Sequence, residues 1–185
     1  MASKKHLLLG VTGSIAAYKA CDMIRAFQRQ DIDVTVVMTE EAKNFITPLT
    51  LASLSRNRVY GEMFLKDLSD WDIEHVSLAG KADLLLIAPA TANVIGKIAC
   101  GIADDLLSCI AMTTKAPIVI APAMNEGMYT NKIVQENMKR LQGHGVHFVN
   151  PIKGELACGV IGEGHLAQID TIVKKVCVLL KNKPR

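Results

Sequence analysis

The segment Ala121-Pro122-Ala123-Met124-Asn125-Glu126-Gly127-Met128-Tyr129 is where this chain most openly offers chemistry. Asn125 carries donors and an acceptor on one planar amide. The apolar run Ala116–Ile120 precedes it and reads as a buried strand. The segment therefore falls at the carboxyl edge of a sheet, where open α/β folds bind ligands. An Asn at such a place can equally cap the helix that follows. Two other strand ends carry related signals. Gly10-Val11-Thr12-Gly13-Ser14-Ile15 runs from the first strand into a helix. Helix N-termini attract phosphate, glycines admit it to the backbone, and Thr12 and Ser14 add hydroxyls. The spacing is not GxGxxG, and the second strand ends Met38-Thr39-Glu40 without an acid placed for a ribose. A mononucleotide phosphate suits this turn better than a nicotinamide dinucleotide, although Gly-Ser turns also serve as plain connectors. The third strand ends Pro89-Ala90-Thr91-Ala92-Asn93. Its small residues leave room for a flat ring, with Thr91 and Asn93 as polar contacts; an N-capped helix start would read the same way.

Of five histidines, His144 and His147 have no carboxylate or cysteine company, so no metal site is expected. His75 precedes the third strand, and its reading depends on what accompanies it. His165 lies in a glycine-rich stretch and could contact a ligand. Asp104 and Asp105 read as ordinary helix-start acids. The five cysteines are odd in number, lack a CxxC pair and are not tightly spaced, which argues against a disulfide framework and a zinc site. Cys21, Cys100, Cys109 and Cys177 read as core. Cys158 differs, because Leu156-Ala157-Cys158-Gly159 has no apolar period. A thiol there can act as acid or nucleophile, or be a small loop residue with no role.

The elements that must hold these residues alternate. Strands are expected at Leu7–Val11, Val34–Met38, Leu84–Ala88, Pro117–Ile120 and Val146–Val149. Helical periods lie between them, and the last one carries Ile169, Ile172, Val173, Val176 and Leu180. This predicts an α/β fold: a Rossmann-like (flavodoxin-like) parallel sheet of five or six strands flanked by helices, in a single domain over residues 1–185. Two segments break the pattern. Arg56–Lys81 is polar and mixed and contains Trp71. Asn150–Gln168 carries four glycines and no period, as a flap closing over a ligand would.

Composition narrows the class. The chain has 185 residues, 50% of them hydrophobic, which suffices for one core. A net charge of +3 without a dense basic block gives no support to nucleic-acid binding. Leu7-Leu8-Leu9 is too short for a signal peptide, and no run approaches membrane-spanning length. Reduced thiols and the absence of such runs lead us to expect a soluble cytoplasmic protein with no membrane partner.

Taken together, the motifs resemble those of the flavin-containing cysteine decarboxylases. Gly13-Ser14-Ile15-Ala16-Ala17-Tyr18-Lys19 resembles the family's flavin-phosphate turn. Pro89-Ala90-Thr91-Ala92-Asn93 resembles its PASANT motif, with Thr91 for Ser and Val94 where Thr is usual. Pro122–Tyr129 resembles its PxMNxxMW motif, with Tyr129 for Trp. Ala157-Cys158-Gly159 through Gly164 resembles its substrate clamp, and His75 falls where the family has its active-site histidine. The similarity runs from about Lys5 to Gln168.

The resemblance implies FMN as cofactor, contacted by Gly13, Ser14, Ile15, Thr39, Pro89, Ala90, Thr91 and Asn93. It implies catalysis by His75, Asn125 and Cys158, with Asn125, Met128, Ala157 and Gly159 on the substrate. It implies homo-oligomers, trimers or dodecamers, with FMN at a subunit interface. The implied reaction is decarboxylation of 4′-phosphopantothenoylcysteine to 4′-phosphopantetheine in coenzyme A biosynthesis, through a thioaldehyde and an enethiol. Relatives acting on a peptide's C-terminal cysteine stop at the enethiol and need no clamp thiol, so Cys158 favours the coenzyme A branch. A non-catalytic flavin-binding regulatory subunit remains an alternative, although the long acidic extensions of such relatives are missing here. The last residues, Lys-Asn-Lys-Pro-Arg, leave open a stand-alone enzyme or one part of a fusion with a synthetase.

Overall fold

A computed structural model of the chain describes residues 4–63, 74–155, 159 and 161–182. Six strands build one parallel sheet: β1 Lys5–Val11, β2 Ile32–Met38, β3 Val59–Tyr60, β4 Leu84–Ala90, β5 Ile118–Pro122 and β6 His147–Phe148. Their spatial order is β3-β2-β1-β4-β5-β6, the order of the Rossmann fold. Without the two-residue edge strand β3 the order would be the flavodoxin one, so both descriptions meet in this sheet. The winding reverses between β1 and β4, and a crevice opens there at the carboxyl ends of the strands. A separate antiparallel hairpin pairs β7 Ile152–Glu155 with β8 Ile161–His165.

The helices are α1 Ala20–Gln28, α2 Pro48–Ser55, α3 Glu74–Lys81, α4 Ala92–Cys100, α5 Leu106–Thr113, α6 Glu126–Tyr129, α7 Lys132–Gly143 and α8 Ile169–Asn182. They cover both faces of the sheet, so the central strands must be apolar on both sides. Leu7, Leu9 and Val11 of β1 pack with Ile24 and Phe27 of α1 and Ile172 and Val176 of α8. Leu8, with Leu85 and Ile87 of β4, packs on the opposite face with Ile95 of α4 and Ile110 of α5. Truncating the fully buried Phe27 to Ala would cost about 3–5 kcal/mol by cavity formation. Proline lacks an N–H, and the β4–β5 register shifts between Ile87 and Ala90, where Pro89 sits.

Three expectations change. The segment Arg56–Lys81 is not wholly irregular: β3 opens it and α3 closes it. β3 is too short to show a period, and α3 buries only Leu78 and Ala79. Trp71 lies outside the described residues. The Asn150–Gln168 stretch holds the β7–β8 hairpin. Its alternation is hidden because glycines take the inward positions of β8, Gly162 and Gly164 being buried between exposed Ile161 and Glu163. Between β1 and α1, a 3₁₀ turn over Ile15–Lys19 precedes the α-helix.

Candidate active site

Three strand ends are stitched together by two buried hydroxyls. The Thr12 hydroxyl donates to the Pro89 carbonyl at 2.7 Å and accepts from the Thr91 N–H at 3.1 Å. The Ser14 hydroxyl donates to the Ala123 carbonyl at 3.3 Å and accepts from the Ala16 N–H at 3.3 Å. These hydroxyls, expected to face a phosphate, are committed to holding the turns in register. The same bonds fix a cavity of about 650 Å³ at the carboxyl edge, of a size suited to a small-molecule ligand. Gly13, Ser14, Ile15, Thr91, Asn125 and Met128, all singled out from the sequence, line it.

Gly13 has a steric reason. A Cβ there would sit 2.5 Å from the Glu41 Cβ, so the segment after β2 lies flat on the turn. Thr39 opens that segment, and its N–H donates to the Val11 carbonyl at 3.0 Å. Its side chain is buried, and its hydroxyl has no hydrogen-bond partner among the described residues. Thr39 does not line the cavity.

Asn125 serves as cap and cavity wall together. Its Oδ1 accepts the Gly127 N–H at 2.8 Å at the start of α6. The cap uses only the oxygen, and among the described residues no partner takes the two amide N–H donors. Ile15, Tyr18 and Met128 are all about half exposed at the rim.

The hairpin closes one side. The Met124 N–H donates to the Gly164 carbonyl at 3.0 Å, and the Glu163 N–H to the Glu126 carboxylate at 3.0 Å. Gly164 has φ +130°, and a Cβ there would collide with the Met124 carbonyl, so only glycine allows this approach. Lys19 Nζ lies 2.8 Å from His165 Nε2, and His165 Nδ1 lies 3.1 Å from the Glu155 carbonyl. With Lys19 as an ammonium, which only donates, Nε2 is the acceptor and Nδ1–H donates to the Glu155 carbonyl. Burial pushes the Lys19 pKa down.

Other expected residues stand apart. Pro89 and Ala90 are buried behind the cavity wall, and Asn93 is exposed outside it. Gly159 is exposed with φ +79° and does not line the cavity. Ala157 and Cys158 lie outside the described residues. His75 is half-buried in the first turn of α3 and, unlike Asn125, does not line the cavity. Tyr18, Lys19, Ala92, Met124, Glu155 and Leu166 line the cavity without having been singled out for a role. Tyr18 could have been found: it follows Ile15 by one turn of the 3₁₀ helix and shares its face.

The chain belongs to the flavoprotein family, whose pattern matches residues 1–181. It is 45% identical, over 94% of its length, to the coenzyme A biosynthesis bifunctional protein CoaBC of Bacillus subtilis (strain 168), of which it spans 43%. It is 44% identical to the probable phosphopantothenoylcysteine decarboxylase of Streptococcus mutans, over 93% of this chain and 97% of that one. A solved structure of a mutant PPC decarboxylase complexed with pantothenoylaminoethenethiol superposes with a TM-score of 0.86 at 31% identity, covering 97% of this chain and 100% of that one. The FMN binding protein AtHal3 superposes with a TM-score of 0.84 at 31% identity, covering 99% and 100%.

Proposed function

We propose that this chain is an FMN-dependent carboxy-lyase that converts 4′-phosphopantothenoylcysteine to 4′-phosphopantetheine in coenzyme A biosynthesis. The observation that carries the reading is one cavity joining the phosphate-type turn at Gly13–Ser14 to the free amide of Asn125. The similarity to CoaBC and to PPC decarboxylases supports it. The residues present suit FMN: the backbone of Gly13–Ile15 and the orphan Thr39 hydroxyl would hold the phosphate, and Thr91 and Ala92 would flank the ring. When bound, FMN supplies a reversible two-electron acceptor that makes the thiol-bearing carbon an electron sink.

The protein's own groups bind, orient and move protons. The Asn125 N–H donors hold the substrate carboxylate, and Met128 packs beside it. The hairpin, as a substrate clamp around 150–168, excludes water and carries Ala157, Cys158 and Gly159. Cys158 delivers a proton to carbon as the enethiol is reduced, and His75 acts as base or electrostatic partner. The net reaction releases carbon dioxide, consumes one proton and leaves the flavin oxidised. His75 would come from a neighbouring protomer, in a trimer or dodecamer with FMN at the interface; the apolar rim of Ile15, Tyr18 and Met128 is what such an interface would cover. We further infer one flavoprotein unit acting in the cytoplasm. Among the described residues no helix is long and apolar enough to cross a membrane.

The test is direct. Purified protein should be yellow and release carbon dioxide from 4′-phosphopantothenoylcysteine. A colourless protein that FMN cannot reconstitute would overturn the reading.

A further inference from the structure

Glu126 follows Asn125 at a position that the PxMNxxMW pattern leaves open. It is half-buried, and among the described residues its carboxylate has no cation partner. The carboxylate turns instead to β8, where it accepts the Glu163 N–H at 3.0 Å. A charged acceptor makes such a bond roughly twice as strong as a neutral one. The strand is shaped for this grip. A Cβ at Gly162 would lie 2.7 Å from the Glu126 Cδ and Oε2, so the bare glycine leaves the space that the carboxylate fills.

The hairpin depends on how it is docked, because a two-stranded ribbon is marginal in water by itself. Its base is fixed where the chain enters the core at Leu166 and Ala167. Above that base, outside its own pairing, β8 packs most closely on α6. The Met124 N–H donates to the Gly164 carbonyl, and Glu126 takes the Glu163 N–H. Both chain neighbours of Asn125 are thus tied to β8, while Asn125 spends only its side-chain oxygen, on the Gly127 N–H. The direction of its two N–H donors into the cavity depends on those ties. Glu126 does not itself line the cavity, so any effect it has on a ligand passes through its neighbours.

We propose that Glu126 is a positioning residue: its carboxylate seats the hairpin on the Met124–Glu126 segment and so fixes the aim of the Asn125 amide at the substrate. The proposal rests on the decarboxylase reading for one point, that Asn125 receives the substrate carboxylate.

The test pairs hydrogen exchange at the Glu163 amide with a ligand contrast. Calorimetry on the flavin-loaded protein compares 4′-phosphopantothenoylserine, the substrate with a hydroxyl for its thiol, with the decarboxylated form of the same molecule. Absence of carbon dioxide release checks that the serine analogue stays intact. Glu126→Ala should quicken exchange at Glu163 and weaken the carboxylate-bearing analogue by about tenfold, leaving its decarboxylated form within about twofold. Glu126→Gln, whose amide oxygen can still accept the Glu163 N–H, should restore most of both. Gly162→Ala, which pushes the carboxylate aside without removing it, should act like Glu126→Ala. A merely structural role would quicken exchange and weaken both analogues alike, or neither, and that result would overturn the proposal. Unchanged exchange at Glu163 in Glu126→Ala would overturn it too. If the wild-type protein releases no carbon dioxide from 4′-phosphopantothenoylcysteine, the decarboxylase reading fails, while exchange at Glu163 across the three variants still decides whether Glu126 seats the hairpin.

Discussion

Asn125 does two things with one amide, and the two can be separated. Asn125→Asp keeps an oxygen for the Gly127 N–H, so the α6 cap survives. It replaces the outward N–H donors with negative charge where a substrate carboxylate would sit. We expect a melting temperature within about 2 °C of wild type, retained flavin, and carbon dioxide release lowered by about 100-fold or more. Near-normal turnover would show that Asn125 only caps. Thr39 gives the opposite pairing. Thr39→Val removes a buried hydroxyl that has no partner among the described residues, so the apoprotein should gain stability by about 1 kcal/mol. The same change should weaken FMN by about tenfold, read by fluorescence titration. Loss of stability without loss of flavin affinity would mean the hydroxyl serves the fold.

At the scale of elements, the hairpin and the α5 cap make distinct predictions. Gly164 is the point where β8 crosses Met124, with a backbone angle that disfavours any side chain. Gly164→Ala should strain this contact by about 1–3 kcal/mol. Hydrogen exchange should then quicken at the Glu163 amide, which bonds to Glu126, while amides of β1 and β4 stay protected. Unchanged exchange at Glu163 would disprove the anchoring. Asp105 caps α5 through the Ser108 N–H at 2.8 Å and pairs with Lys97 at 2.8 Å. Burial opposes its charge, but Lys97 and Ser108 prevail and hold its pKa below the usual 3.8. A depressed carboxylate pKa stabilises the fold above the unfolded value, and that contribution is lost as pH falls through the folded value. Asp105→Ala should therefore cost about 1–2 kcal/mol near neutral pH by thermal melting. The difference from wild type should shrink below about pH 4.

At the scale of the molecule, His75 and Asn125 pose the main question. Asn125 lines the cavity, and His75, in the first turn of α3, does not. If catalysis needs both, the site is completed by a neighbour. Mixing inactive His75→Asn and Asn125→Asp chains, dissociated and reassembled together, should restore carbon dioxide release that neither has alone. Failure to complement in a confirmed mixed oligomer would confine the chemistry to one chain.

The doubly covered strands were legible because burial on both faces leaves an unbroken apolar run, as in Leu7–Leu9 and Leu84–Ile87. β3 and the hairpin were not, because two residues show no period and glycines at inward positions erase alternation. Gly13, Ser14 and Asn125 could be named because strand-end turns place ligand-facing residues by local rules, and Met128 because Pro122–Tyr129 resembles a family motif. What local order cannot encode is which distant groups meet. That Thr12 spends its hydroxyl on Pro89, that Lys19 finds His165, and that His75 lies away from the cavity are consequences of strand order and hairpin docking. The chain's own residue types thus determined the layers and the chemistry on offer, and only tertiary packing decided which of those groups share one space, because contacts between remote segments depend on how the whole sheet is wound.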